Sequence, residues 1–295
     1  MRVFVTGATG FVGSAVVNEL LSAGHEVLGL VRSDKGAEAL TAAGAKVHRG
    51  HLEDLDSLKS GATAADGVIH TAFIHDFTKF AENCEIDRRA ITALGEVLAG
   101  SDRPLIITSG TGVLTPGRAA RESDRFPAVH PNPRIASEQA ADAVEAKGVK
   151  AMSVRLPQVH GKGDHAFTPL LIGIARDKGR AAYVGDGLNR WPAVHRLDAA
   201  RLYGLALEKG TAGARYHAVA EQGVSLRALE ELIGRRLNLP VASIPPEEAA
   251  GYYGWFAHFA SMDMPASSEW TRKTLDWEPT QPELFADMEA HYFAV

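Results

Sequence analysis

The sequence predicts an α/β fold in which a doubly wound parallel sheet carries a smaller, mainly helical C-terminal lobe. Three observations carry that expectation. Short runs rich in Val and Ile recur through the first 155 residues with little polar alternation, as strands buried on both faces require. Helical patterns separate these runs and supply the crossover connections of a parallel sheet. After residue 224 the spacing is helical, with Leu226, Leu229, Leu232 and Ile233 on one face.

Taken in order, the expected strands are residues 3–5, 26–31, 45–48, 67–71, 105–109 and 151–155, and the expected helices include 13–23, 55–60, 87–99 and 134–146. Residues 156–192 are rich in Gly, His and Pro and read as loops with one helix around 167–175. Residues 194–207 read as a return to the core, and 214–219 as a further strand. Residues 1–155 plus about 194–219 therefore form the expected main domain. Residues about 156–193 plus 220–295 form a lobe interleaved with it, on which a substrate would bind.

Composition narrows the class. The 295 residues exceed the usual size of one core and leave room for a large domain and a lobe. Net charge is −5, with Lys and Arg spread along the chain, which argues against nucleic acid or an anionic membrane as principal partner. Cys84 is the lone cysteine, so no intramolecular disulfide forms and a reducing compartment is expected. The first residues run straight into a strand without the features of a signal peptide, and no apolar run approaches the roughly 18 residues of a membrane span. A cytoplasmic setting is the expectation.

The strongest motif is Gly7-Ala8-Thr9-Gly10-Phe11-Val12-Gly13, directly after the first strand and opening a helix. Gly7 permits a tight turn, Gly10 lets the backbone approach a pyrophosphate, and Gly13 allows close packing of helix on strand. The helix N-terminus offers unpaired N–H groups and partial positive charge to the phosphates. A second strand begins at the required distance, which gives the Rossmann context. At the end of that strand an NAD site usually has an acid for the ribose 2′-hydroxyl. Here Leu30-Val31-Arg32-Ser33 precedes the first acid, Asp34. Arg32 suits a 2′-phosphate and Ser33 adds a hydrogen bond, so NADP(H) is the expected cofactor.

Over nearly its whole length the chain resembles the extended and atypical short-chain dehydrogenase/reductases, of the NAD-dependent epimerase/dehydratase type. Gly7–Gly13 matches their glycine motif. Gly50-His51-Leu52-Glu53-Asp54 resembles their element at the adenine, with His51 in place of an acid. Val68-Ile69-His70-Thr71-Ala72, followed by Phe73, resembles the strand that passes beneath the cofactor. Ile106-Ile107-Thr108-Ser109 falls where the family carries a serine or threonine. Val154-Arg155-Leu156-Pro157-Gln158-Val159-His160-Gly161 resembles the segment at the nicotinamide end, which places Gln158 at the cofactor. Two later elements fit as well: Val194-His195-Arg196-Leu197-Asp198 resembles the turn back into the core, and Trp277-Glu278-Pro279 resembles the closing element.

One element departs from the pattern. The family normally carries Tyr-x-x-x-Lys, in which the lysine lowers the tyrosine pKa for proton exchange with a carbonyl. This chain has Arg134-Ile135-Ala136-Ser137-Glu138 at the matching place. Arginine is no proton acid near neutral pH, and Glu138 brings the opposite charge to lysine. An Arg134–Glu138 ion pair on the helix surface is the expected bland arrangement, with Arg134 at a substrate carbonyl or carboxylate as the alternative.

A nicotinamide performs hydride transfer itself, so the protein needs only to orient a substrate and manage one proton. Ser109, at the C-terminal end of its strand, is the expected group at a substrate carbonyl, and Thr111 is the second. His160 is the first candidate for proton donor, with His70, His75 and His165 behind it. Tyr252, Tyr253, Trp255, Phe256, His258, Phe259 and Met262 form an aromatic cluster that packs as core or closes over the nicotinamide. No metal-ligand pattern and no Gly-x-Ser-x-Gly elbow is present. The expected function is an NADPH-dependent reductase of a small aldehyde or ketone that does not use Tyr-x-x-x-Lys. The alternatives are a non-catalytic NADP(H)-binding sensor and a nucleotide-sugar epimerase or dehydratase. Related folds often pair through helices flanking the sheet, so a homodimer is the assembly the resemblance suggests.

Overall fold

In the computed structural model, residues 1–114, 117–127 and 130–293 are described. The last two positions of the expected helical stretch 224–295 lie outside them. The first half alternates strand and helix: β1 (Arg2–Thr6), α1 (Phe11–Ser22), β2 (Glu26–Val31), α2 (Asp34–Ala42), β3 (Lys46–Arg49), α3 (Leu55–Thr63), β4 (Gly67–His70), α4 (Phe80–Leu98), β5 (Pro104–Gly110), α5 (Ala136–Glu145) and β6 (Lys150–Leu156). The chain continues through β7 (Gln158–His160), α6 (Phe167–Lys178), β8 (Ala181–Val184), β9 (Arg190–His195), α7 (Arg196–Lys209), β10 (Arg215–His217) and β11 (Glu221–Ser225). It ends with α8 (Leu226–Leu237), β12 (Val241–Ile244), α9 (Ala249–Tyr253), α10 (Ala257–Ala260), α11 (Glu269–Leu275) and α12 (Leu284–His291).

Among the described residues the main sheet has seven strands in the order β10-β6-β5-β4-β1-β2-β3, all paired in parallel. The pleat sends successive side chains to opposite faces. Val3 and Val5 thus join α1 and α7 in one apolar core, while Phe4 joins α3, α4 and α5 in the other. The order reverses between β1 and β4, where Thr6 lies opposite His70. In doubly wound sheets that switch point, at the C-terminal ends of the strands, is where ligands bind.

The lobe has its own core, in which Leu171, Ile172, Trp191, Leu229, Ile233, Phe256, Leu284 and Met288 are buried together. Strands β11-β9-β7 and the pair β12-β8 form two small sheets around it. These strands correct the expectation of loops and helices beyond residue 156. At three to six residues each, they are too short for a clear period-two pattern. Helix α4 begins seven residues earlier than expected, at Phe80 rather than at residue 87. Among the described residues no helix is long and apolar enough to cross a membrane.

Candidate active site

The glycine turn between β1 and α1 is kept bare by sterics. Gly7 has φ +67°, and a Cβ there would stand 2.7 Å from the backbone N of Ala72, in the segment after β4. A Cβ on Gly13 would stand 2.0 Å from the Gly7 carbonyl oxygen. Any side chain at either place pushes α1 off β1 or closes the switch point. Gly10 caps α1 without a side-chain hydrogen bond, so no cap side chain occupies the N–H groups of the helix's first turn. Thr9 and Gly10 are exposed. Thr71 holds the turn from below by donating from Oγ1 to the Thr6 carbonyl at 2.8 Å.

At the end of β2, Arg32 is exposed. Ser33 caps α2 by accepting from the Gly36 N–H at 3.2 Å, and Asp34 is held by Arg49 at 2.6 Å. His51 is exposed and Leu52 leans on the core beside α3. The close-packed glycine turn and the start of α1 fit the pyrophosphate of a dinucleotide.

Beside the turn, at the ends of β4 and β5, lies a buried polar network. His70 donates from Nε2 to Asp87 Oδ1 at 2.9 Å, and the Thr6 hydroxyl meets its Nδ1 at 2.8 Å. Arg134 donates to Asp87 Oδ2 at 2.8 Å and to the Thr108 carbonyl at 3.0 Å, and it also contacts Ser137, which donates to Asp87. The Arg134 guanidinium carbon lies 4.2 Å from the centre of the Phe73 ring. Burial would raise the Asp87 pKa, but Arg134, His70 and Ser137 outweigh it and hold the carboxyl down at about 2. Thr108 donates to the His70 carbonyl at 2.8 Å and lies 2.6 Å from the Tyr203 hydroxyl. Burial raises the Tyr203 pKa, so that phenol stays protonated. Next to this network the hydroxyl of Ser109 is buried with no hydrogen-bond partner among the described residues.

The model of the NAD dependent epimerase/dehydratase family matches residues 3–220. The chain belongs to that family. It is 52% identical over 290 residues to an uncharacterized protein of Schizosaccharomyces pombe, covering 98% of each chain. It is 29% identical over 262 residues to a 4-hydroxy-2-methyl-3-oxo-4-farnesyl-3,4-dihydroquinoline-1-oxide ketoreductase of Stigmatella aurantiaca, covering 84% of this chain and 78% of that one. Among solved structures, the dTDP-glucose 4,6-dehydratase DesIV of Streptomyces venezuelae superposes with a TM-score of 0.78 at 21% identity, covering 98% and 95% of the two chains. Membership makes this an extended short-chain dehydrogenase/reductase, an oxidoreductase- or epimerase-type enzyme that uses a nicotinamide dinucleotide.

Within that family frame, Arg134 and Glu138 part company. The expected Arg134–Glu138 pair on the helix surface does not form. Arg134 turns to Asp87, while Glu138 is buried and takes Arg155 on both oxygens at 2.7 Å and Arg215 at 2.8 Å. The physical reason is that α5 buries the face carrying Glu138 against β6 and β10, where two guanidinia wait. Arg155 also donates to His217 Nε2 at 3.1 Å; burial and then Arg155 push the pKa of that histidine down to about 4.

The other candidates scatter. Thr111 is buried, with its hydroxyl 3.5 Å from the Leu156 carbonyl. His160 is fully buried, its Nδ1 is 2.8 Å from Asp287, and its Nε2 has no partner among the described residues. His165 stands edge-on to Phe11 at 6.0 Å, and His75 edge-on to Phe73 at 5.2 Å. Gln158 donates to the Thr168 hydroxyl. Sequence reasoning missed Asp87, the residue that joins His70 to Arg134. An acid on the core face of an amphipathic helix was the available signal, hidden because the helix was started at that residue instead of before it.

Proposed function

We propose that the protein is an NADP(H)-dependent oxidoreductase that reduces the carbonyl group of a small aldehyde or ketone. The observation that supports the proposal is the unpartnered hydroxyl of Ser109 at the end of β5, one residue beyond Thr108, whose carbonyl accepts from Arg134. The Gly7–Gly13 turn would hold the pyrophosphate of a bound nicotinamide dinucleotide, which would supply the hydride for the carbonyl carbon. Ser109 donates its free hydroxyl to the substrate oxygen. Arg134 adds fixed positive charge where the oxygen becomes negative, and Asp87 and Phe73 hold its plane. Thr111 backs the same strand end.

The proton goes to the resulting alkoxide from an ordered water or from His160. Arg32 takes the 2′-phosphate, an assignment helped by the engagement of the nearest acid, Asp34, with Arg49. The ketoreductase relative supports carbonyl reduction as the direction of the chemistry.

The test is NADPH oxidation across a panel of aldehydes and ketones with wild type and Ser109→Ala. Turnover in the wild type that falls about 10²-fold in the variant is expected for one lost oxyanion donor. Tight NADPH binding with no turnover on any carbonyl would overturn the reading in favour of a binding protein.

A further inference from the structure

We infer that Arg196 is a further binding residue for the dinucleotide, a cation that acts on its pyrophosphate from the start of α7. The inference rests on the nicotinamide dinucleotide that family membership brings, and not on carbonyl reduction. Helices α1 and α7 pack together on one face of the main sheet, where Val16, Val17 and Leu20 share a core with Leu202, Tyr203 and Ala206. Each of the two helices leads into a parallel strand of that sheet, β2 or β10, and so starts at the C-terminal end of the strands. Their first residues, Phe11 and Arg196, meet at the end where the glycine turn lies.

The Arg196 guanidinium carbon stands 5.2 Å from the centre of the Phe11 ring, within the range of a cation–π contact. Phe11 is the residue that opens α1, so this guanidinium lies one side chain from the pyrophosphate seat. That is inside the roughly 8–10 Å over which charges still act on each other at physiological ionic strength. Gly161 leaves room for the arginine stem: a Cβ at Gly161 would stand 3.1 Å from Arg196 Cγ.

Arg196 is also uncommitted. It is half-buried, and among the described residues its guanidinium has no hydrogen bond and no ion pair, only the Phe11 ring. The acid nearest to it in the chain, Asp198, accepts from the Thr280 and Gln281 N–H groups at 2.9 and 3.0 Å. Asp164, in the loop after Gly161, accepts from the Ala166 N–H at 2.7 Å and from the Tyr292 hydroxyl at 2.8 Å. A guanidinium kept without a counter-ion has its N–H donors left for an anion. The pyrophosphate is the anion that the neighbouring glycine turn and helix start recruit.

The test is isothermal titration with ADP-ribose, which carries the pyrophosphate without the nicotinamide, and with adenosine, which carries no phosphate. Arg196→Met keeps an apolar stem on Phe11 and removes the charge. In that variant the Kd for ADP-ribose should rise about tenfold at low salt, the effect of one fixed charge near an anion. The Kd for adenosine should stay unchanged, and Arg196→Lys should restore most of the loss. The gap between wild type and Arg196→Met should narrow at high salt, where the charge is screened. An ADP-ribose Kd that Arg196→Met leaves unchanged would overturn the inference, and so would a rise shared equally by adenosine or by Arg196→Lys. No turnover is needed, so a protein that binds ADP-ribose and reduces no carbonyl still decides it. A wild type that binds no ADP-ribose would refute it along with dinucleotide binding itself.

Discussion

Arg134 and Glu138 stand one helical turn apart, yet their ion pairs differ in almost every physical respect. Glu138 is sealed: its side chain is 2% exposed, both oxygens are occupied, and Arg155 and Arg215 are buried with it. Arg134 keeps 14% of its side chain exposed, has one carboxylate partner, and lies against an aromatic face at the open ends of the strands. Among the described residues its contacts to Asp87, Ser137 and Thr108 engage Nη1 and Nη2 and leave the Nε N–H without a partner. A buried pair with every lone pair satisfied does structural work, and a half-open one with donors to spare is available for binding.

The largest effect should come from breaking the sealed pair. Glu138→Ala strands two buried guanidinia and should cost about 3–5 kcal/mol in denaturant unfolding. A fully stable variant would show that the contrast is mistaken. Next comes Arg134→Met combined with Asp87→Asn, which removes both charges of the open pair. Stability should change little, while kcat/KM falls about 10²–10³-fold, the usual loss for one oxyanion donor. Matching losses of stability and activity would make Arg134 merely structural.

Smaller again is Arg32→Ala. Losing a charge-assisted contact worth about 1.5–3 kcal/mol should raise the Kd for NADPH roughly 10- to 100-fold and leave that for NADH unchanged. Isothermal titration with both cofactors decides it.

An effect that is small at pH 5 and grows with pH concerns a third buried acid, Glu230, which has no cation partner among the described residues: burial pushes its pKa up to about 8, and Oε2 has no hydrogen-bond partner among them. The folded state then holds a proton that the unfolded state gives up near its ordinary value, so this contribution to stability falls between about pH 4.5 and 8. Glu230→Gln should be close to wild type at pH 5 and more stable at pH 8, read as a Tm difference that widens with pH.

How much of this was legible in the sequence depended on range. The strand–glycine–helix element and the Val-rich strands obey local rules, and they stand where expected. Arg134 and Glu138 were recognised as unusual, but their partners come from far along the chain, Asp87 in one case and Arg155 and Arg215 in the other. No local spacing reports such contacts, so the i,i+4 pair was the natural inference and the wrong one. Phe77 and Trp255, whose rings stack, are likewise far apart in sequence. The aromatic cluster around Trp255 was visible, whereas the ring that stacks on it was not. Short strands such as β7 and β12 escaped because three or four residues carry almost no periodicity.

The most direct test of the central claim is to supply NADPH carrying deuterium at both C4 positions with an aldehyde, and to weigh the product by mass spectrometry. One deuterium on the carbinol carbon, formed in step with cofactor oxidation and about 10²–10³-fold more slowly in Arg134→Met/Asp87→Asn, is the expected result. An alcohol without deuterium, or bound cofactor that is never consumed, would contradict a carbonyl reductase built around Ser109 and Arg134.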